Sequence, residues 1–336
     1  MKKFVIPGII LSIFLFLGCP AKKSTDNNPE CMDAETAKTL YKPTNNDANK
    51  RCGTMEVLEK HIAQRPKLKS RMEAIEKQCK AFIELRKSEK IADLDTIVIP
   101  TVVHVIYSKK EENICNEQIL SQIKVLNQDF TKANTDISQI PEEFSDLAAD
   151  ISVRFKLDTI IRVASTRTEW GTNDLMKFSS NGGSNIIDPS KNLNIWVCNI
   201  GGGVLGYAQF PGDEPSTDGI VISPQFFGTE GSVSAPFDHG RTTTHEVGHW
   251  LNLRHIWGDG NCSRDDFVED TPVSDGPNYG CPTYPTVRCN SNDMTMNYMD
   301  YVDDNCMYMF TLGQKDRMRA VFADGGPRAS FVKQIQ

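Results

Sequence analysis

The chain has 336 residues, 39% of them hydrophobic and 24% charged, and a formal net charge of -7. That length holds one domain of about 200–250 residues plus a smaller appendage. The acidic balance excludes the basic face that a nucleic-acid binder needs, and a monomer is expected.

The N-terminus sets the compartment. Met1-Lys2-Lys3 is a short basic start, the run from Phe4 to Leu17 is apolar, and Gly18-Cys19 follows. This is an export signal, too short for a comfortable membrane span. Leu15-Phe16-Leu17-Gly18-Cys19 resembles a bacterial lipobox, with Phe16 where Leu is commoner. The resemblance implies a signal peptide over 1–18 and lipidation of Cys19, which anchors the exported protein to the cell envelope or surface without spanning the bilayer. Ten cysteines in an exported chain predict disulfides. Residues 19–30 read as a flexible tether.

Residues 31–93 form a separate segment. Ala48 to Lys90 holds twelve Lys/Arg against six Asp/Glu, so a basic segment precedes an acidic body. A docked pro-segment would have this charge, and so would a solvated pair of amphipathic helices.

The body is expected over 94–336. Ile97 to Tyr107 is almost continuously β-branched and predicts a buried strand. Ile119, Ile123, Leu126 and Phe130 recur at helical spacing. Further strands are predicted over 151–161, 193–198, 206–210 and 219–222. A helix is predicted to start near Thr242–Thr244, whose hydroxyls could cap it. Beyond Trp257 the chain loses its pattern until a short helical run from Gln314 to Phe322.

That second helix carries His245-Glu246-Val247-Gly248-His249. On a helix, residues four apart share a face, so both imidazoles can reach one zinc, with Glu246 beside them as a base for an attacking water. Chance gives H-E-x-x-H in roughly 1% of chains this long. His255, six residues after His249, can return to the same metal only if the chain turns sharply at Asn252. The run resembles the elongated metzincin motif H-E-x-x-H-x-x-G-x-x-H, with Asn252 where that family has Gly. Asn tolerates the left-handed backbone next best. Asn297-Tyr298-Met299-Asp300-Tyr301 resembles the metzincin Met-turn, which implies Met299 as a cushion under the metal and Tyr301 as a donor to the transition-state oxyanion.

More specifically, the chain resembles the short bacterial pappalysins over about 96–322. The resemblance rests on Gly206 to Gly212, His245 to His255, Glu269-Asp270-Thr271-Pro272, Gly280-Cys281-Pro282 and Asn297 to Tyr301 with Cys306 and Phe310-Thr311. It implies an α/β fold: a twisted, mostly parallel sheet with the active-site helix above an irregular, disulfide-stapled C-terminal subdomain. It implies a zinc endopeptidase acting on protein or peptide substrates, which pair with an edge strand near Gly206 to Phe210. It implies disulfides Cys262–Cys289 and Cys281–Cys306. It also implies structural calcium, with Asp266, Asp270 and Thr271 as candidate ligands, although turn chemistry explains those residues as well. Asp303 and Asp304 follow the Met-turn. A carboxylate there, chiefly Asp304, would favour cleavage before Arg or Lys; an exposed acidic pair is the other reading.

With Cys19 lipidated and four cysteines bridged, Cys31, Cys52, Cys79, Cys115 and Cys198 remain, so one free thiol is expected. Cys52, in Arg51-Cys52-Gly53-Thr54, is similar to the zinc-blocking cysteine of related zymogens. A disulfide with Cys31 or Cys79 is the alternative. Activation then requires a cut near Arg86 to Asp95. His104, inside an apolar strand, reads as structural. Two rival functions are an inert surface lipoprotein that binds host or matrix protein, for which Glu246 has no use, and a closed structural zinc module.

Overall fold

The computed structural model describes Met1, residues 28–32, Thr36, residues 51–88 and residues 95–332. The expected signal peptide, Cys19 and the tether as far as residue 27 lie outside the described residues, as do residues 89–94.

Helices α1 (Thr54–Gln64) and α2 (Pro66–Lys87) come first. Arg65 between them is non-helical, because the ring of Pro66 disfavours the α region for the residue before it. Pro66 itself opens α2, where a missing N–H removes no helical bond.

The body is built on a five-stranded sheet. Strand β1 (Ile97–Tyr107) sits between β2 (Val153–Ala164) and β3 (Leu193–Val197), both parallel to it. The sheet continues through β5 (Ile220–Ile222) to an edge strand β4 (Gly206–Ala208), in the order β2-β1-β3-β5-β4. Only β4 runs antiparallel. Val102, Val103 and Val105 are fully buried, as a β-branched run covered on both faces requires.

Helix α3 (Asn116–Phe130) packs Ile119, Ile123, Leu126 and Phe130 into the main core. Helix α4 (Arg241–Trp250) crosses between α3 and the β4–β5 edge, and all ten of its residues are buried. A helix enclosed on every side needs polar partners inside. Arg241 supplies one set, pairing with Asp129 of α3 at 3.2 Å and Asp136 at 3.1 Å. Thr243 and Thr244 donate to Gln122 and Asp129.

These bonds correct the expected cap. The Thr243 and Thr244 hydroxyls are spent on α3, and the helix starts at Arg241. Asp304 does the capping instead: its Oδ2 accepts the His239 and Arg241 N–H groups, both at 3.0 Å. A carboxylate also suits the positive end of the helix dipole.

Beyond Trp250 the chain is mostly irregular, with a two-residue hairpin, β6 (Val287–Arg288) and β7 (Ser291–Asn292), and a short helix α5 (Leu312–Ala320). Disulfides Cys262–Cys289 and Cys281–Cys306 staple this half. A third bridge, Cys31–Cys115, ties the first described residues to the start of α3. Cys52, Cys79 and Cys198 remain as thiols among the described residues, so the parity argument for a single free thiol fails.

Candidate active site

Helix α4 places His245 and His249 one turn apart on one face. The helix then ends in a tight C-cap. Leu253 N–H donates to Gly248 O at 2.9 Å, and Asn252 N–H donates to His249 O at 2.9 Å. Asn252 sits between them at φ +76°, the left-handed position that this paired bond pattern demands. The turn sends the chain back, and His255 comes to rest beside the other two. His249 Nε2 lies 3.1 Å from His245 Nε2 and 3.1 Å from His255 Nε2.

Each imidazole is oriented through its other nitrogen. His245 Nδ1 meets Tyr298 O at 2.7 Å, His249 Nδ1 meets Leu253 O at 2.8 Å, and His255 Nδ1 meets Asp259 Oδ1 at 2.5 Å. All three Nε2 atoms are thereby left as lone-pair donors aimed at one point. Burial lowers His245 to about 3 and holds His249 well below its ordinary value, so both imidazoles are neutral. Nitrogens bound to one tetrahedral zinc at 2.0–2.1 Å would stand about 3.3 Å apart. The donor set fits the ion.

Glu246, on the same helix, is fully buried. Its Oε2 accepts the Thr54 hydroxyl at 2.7 Å, while Oε1 has no hydrogen bond. Burial pushes its carboxyl up to about 7, against the pull of Thr54. Met299 lies beneath the helix, and Gly248 makes room for it: a Cβ on Gly248 would stand 2.5 Å from Met299 Sδ. Tyr301 is held edge-on to His255 and Trp257, each at 4.8 Å between ring centres.

Residues 181–323 match the family described as Pregnancy-associated plasma protein-A, peptidase M43. Extracellular metalloprotease 1 of Coccidioides posadasii is 32% identical over 248 residues, 71% of this chain and 82% of that protein. The chain belongs to the pappalysin family. Among solved structures, mature mirolysin of Tannerella forsythia in complex with a cleaved peptide is 46% identical with a TM-score of 0.69, over 71% of this chain and 96% of that one. A Tannerella forsythia promirolysin mutant is 41% identical with a TM-score of 0.77, over 84% and 97%. As a pappalysin the chain is a zinc metalloendopeptidase made as a latent precursor.

In this pappalysin the segment before the sheet lies across the histidines. Gly53 N–H donates to Gly206 O at 2.9 Å and Leu205 N–H to Arg51 O at 3.1 Å, so Arg51 to Gly53 pair with edge strand β4. Cys52 Sγ and the three His nitrogens all lie within 4.8 Å of one another. Thr54, which the sequence reading passed over, bridges Glu246 and the Ala208 N–H. Burial and the Glu246 charge raise the Cys52 thiol well above its ordinary value, and only a cation among the histidines would reverse this.

The acidic residues after the Met-turn divide their work. Asp304, the expected specificity residue, is 1% exposed, and burial pushes it up to about 7. Its Oδ2 is engaged by the helix-capping bonds, and the residue lines the cavity beside Arg51, His245 and Glu246. The carboxylate that meets a cation is Asp303, whose Oδ1 accepts Arg51 Nη2 at 3.0 Å. The same guanidinium donates to Tyr301 O and lies over Phe237 at 4.6 Å.

The calcium candidates divide likewise. Asp266 and Thr271 come together at 2.8 Å. Asp270 accepts Thr311 Oγ1 and Gly313 N–H at the start of α5. His104 is buried between Ser184 and Asn194 and stacked on Trp196, away from the cleft.

Asn252→Ala is expected to cost about 1 kcal/mol of stability, because a plain Cβ is strained in the left-handed region, whereas Asn252→Gly leaves it unchanged. The denaturant midpoint at constant slope reads this. Equal losses in both variants would show that the backbone angle is not the constraint.

Proposed function

We propose that His245, His249 and His255 hold the zinc, that Glu246 is the proton-transfer group and that Tyr301 stabilises the oxyanion. The observation that carries this is the convergence of three Nε2 atoms beside a buried carboxylate with one unbonded oxygen. Zinc held there supplies Lewis acidity, polarising a scissile carbonyl and lowering the pKa of water. Substrate lies extended along β4, where Arg51 to Gly53 now lie. Glu246, poised near neutrality by burial, takes a proton from the attacking water and passes it to the leaving amine. The Tyr301 hydroxyl, kept protonated by burial, donates to the oxyanion as charge develops.

We further propose cleavage before Arg or Lys. The Arg51 guanidinium, held by Asp303, Phe237 and the Tyr301 carbonyl, models how the cleft accepts a basic side chain. Residues 31–93 are the pro-segment, with Cys52 as the group that takes the open metal position. Its docking combines apolar packing and ion pairs: Val57, Leu58, Leu68 and Phe82 are buried against the body, Glu76 forms a two-point pair with Arg317, Arg65 pairs with Asp213, and Arg71 with Glu214. His61 lies between two carboxylates, 3.2 Å from Asp174 and 2.7 Å from Asp213. Asp266, Asp270 and Thr271 remain our candidates for structural calcium. The relatives' extracellular character and the lipobox together support export with a lipid anchor on Cys19.

Glu246→Ala is expected to abolish peptide hydrolysis, by at least about 10²–10⁴-fold, while zinc content is retained. Removing zinc by chelation should have the same effect, and removing calcium alone should lower the unfolding temperature. Residual turnover in the variant would exclude Glu246 as the base.

Asp303→Asn should reduce kcat/KM for peptides with Arg after the scissile bond and spare those with Leu there. A uniform change would remove the specificity proposal.

Cys52→Ala should speed activation of the full chain. Latency should also weaken with rising pH. Burial pulls His61 down, but bonds from both ring nitrogens to Asp174 and Asp213 outweigh it and raise the pKa. The raised, docked imidazolium contributes fully below the ordinary value of about 6.5, and its contribution is lost as pH climbs through the docked value. Activity of the uncut chain relative to the processed chain should therefore rise with pH, and His61→Gln should flatten that rise. An identical pH profile in the variant would refute the latch.

Metabolic labelling with a fatty acid should mark the chain and fail on Cys19→Ala. Label that persists in the variant would refute the anchor.

A further inference from the structure

The three histidines are not supported alike. His245 and His249 give their Nδ1 protons to backbone carbonyls, neutral acceptors that belong to the fold itself. His255 alone meets a carboxylate, Asp259, at 2.5 Å. The contact is built by local backbone geometry. Gly258 and Asp259 both take left-handed angles, φ +60° and +56°, and fold the chain back so that a residue four positions later reaches Nδ1. Gly258 is confined there, because a Cβ would stand 2.8 Å from Asp265 N. Trp257 stacks flat on the His255 ring at 4.4 Å with 3° between planes, closing one face. Asp259 is 22% exposed at its side chain while His255 is 1% exposed, so the carboxylate sits at the rim and the imidazole within.

From this arrangement we infer that Asp259 is a positioning residue for the metal centre, acting through His255. It fixes the tautomer that presents Nε2, and its charge makes that nitrogen a stronger donor than its two neighbours. The effect matters most at this ligand. His245 and His249 are placed by a rigid helix, whereas His255 is delivered by a turn and has no regular structure to hold its ring.

The inference rests on the zinc reading above, so the test measures metal affinity directly, on the full chain, by competition with a chelator. Asp259→Ala should weaken zinc binding by about 10- to 100-fold. Asp259→Asn, which keeps an acceptor oxygen without the charge, should fall between. The unfolding temperature of the metal-free chain should be the same in all three. Unchanged affinity in Asp259→Ala would overturn the role, as would affinity losses matched by equal destabilisation of the metal-free forms. Failure of the unsubstituted chain to bind zinc would remove the metal reading itself.

A second observation stands apart from the cleft. Cys31 is bridged to Cys115, 84 positions later, on the far side of both pro-segment helices. Cys115 is the N-cap of α3, anchored in the body, and Asn28 accepts the Asn116 N–H at 2.8 Å beside it. Any single cut between these cysteines therefore leaves the two pieces covalently joined. We propose that the processed enzyme is a two-chain molecule whose body stays tied to the N-terminal segment until Cys31–Cys115 is reduced by a thiol. In that exchange each cysteine gains one electron and one proton, and the thiol donor becomes a disulfide.

This rests on the pro-segment reading, and one gel series separates the two. After activation, wild type should run as one species without reductant and as two with it. Cys31→Ser should give two species in both cases. Two species from wild type without reductant would overturn the tether, and absence of any cut between residues 31 and 115 would overturn the pro-segment reading and the tether with it.

Discussion

Three buried imidazoles with their lone pairs turned toward a common point repel one another, and a cation held among them makes that arrangement favourable. Much of the body serves to hold it in readiness. Helix α4 is enclosed on every side, pinned at its start by Asp304 and by the Arg241 pairs with Asp129 and Asp136. Its C-terminal turn depends on one residue, Asn252, in a conformation that most side chains resist. Arg317 donates to the Asn252 carbonyl from α5, so the short C-terminal helix also steadies the turn that delivers His255.

On the proposed reading, the pro-segment answers that site in two ways. Locally, Arg51 to Thr54 brings a thiol beside the three histidines, a hydroxyl to Glu246 and a guanidinium to Asp303. At longer range, its basic helices pair with acidic groups spread over the body, as Lys87 does with Glu269 and Arg86 with Asp316. Surface pairs of this kind are individually worth little, but His61 and Glu76 make buried or two-point contacts. The charge asymmetry along the chain becomes complementarity across an interface. If Cys52 takes the fourth position, as we propose, the ligand set closes like that of a structural zinc site, and its removal leaves the open position that catalysis needs.

The periodic and motif-bearing parts of the fold could be read directly. The β-branched run at Ile97–Tyr107 is the central strand, and Ile119, Ile123, Leu126 and Phe130 do line the inner face of α3. Boundaries shifted where contacts outside the periodic pattern set them: α5 begins two residues before the expected run, where Thr311 and Gln314 form a local capping box and Asp270 accepts the Gly313 N–H from far along the chain. Bonds to long-range partners carried no sequence signal. Asp304 follows the Met-turn, and its Oδ2 also accepts backbone N–H groups at the start of α4. Asp270, in the loop after the zinc motif, also accepts the Gly313 N–H of α5. Asp259 and Thr54 carried no motif, although an Asp four residues after a ligand His is a signal that local spacing offers.

What the sequence determines by itself is chemistry that depends on short spacing: two imidazoles and a carboxylate on one helical face, an Asn where the chain must turn, a buried strand, a basic segment before an acidic body. These follow from periodicity and local backbone sterics, which act over a few residues. Only the tertiary structure decides which of several cysteines pair, which of two adjacent aspartates meets a guanidinium, and that Arg51 to Gly53 lie along β4. Those outcomes depend on distances between residues far apart in the chain, and no local pattern encodes them.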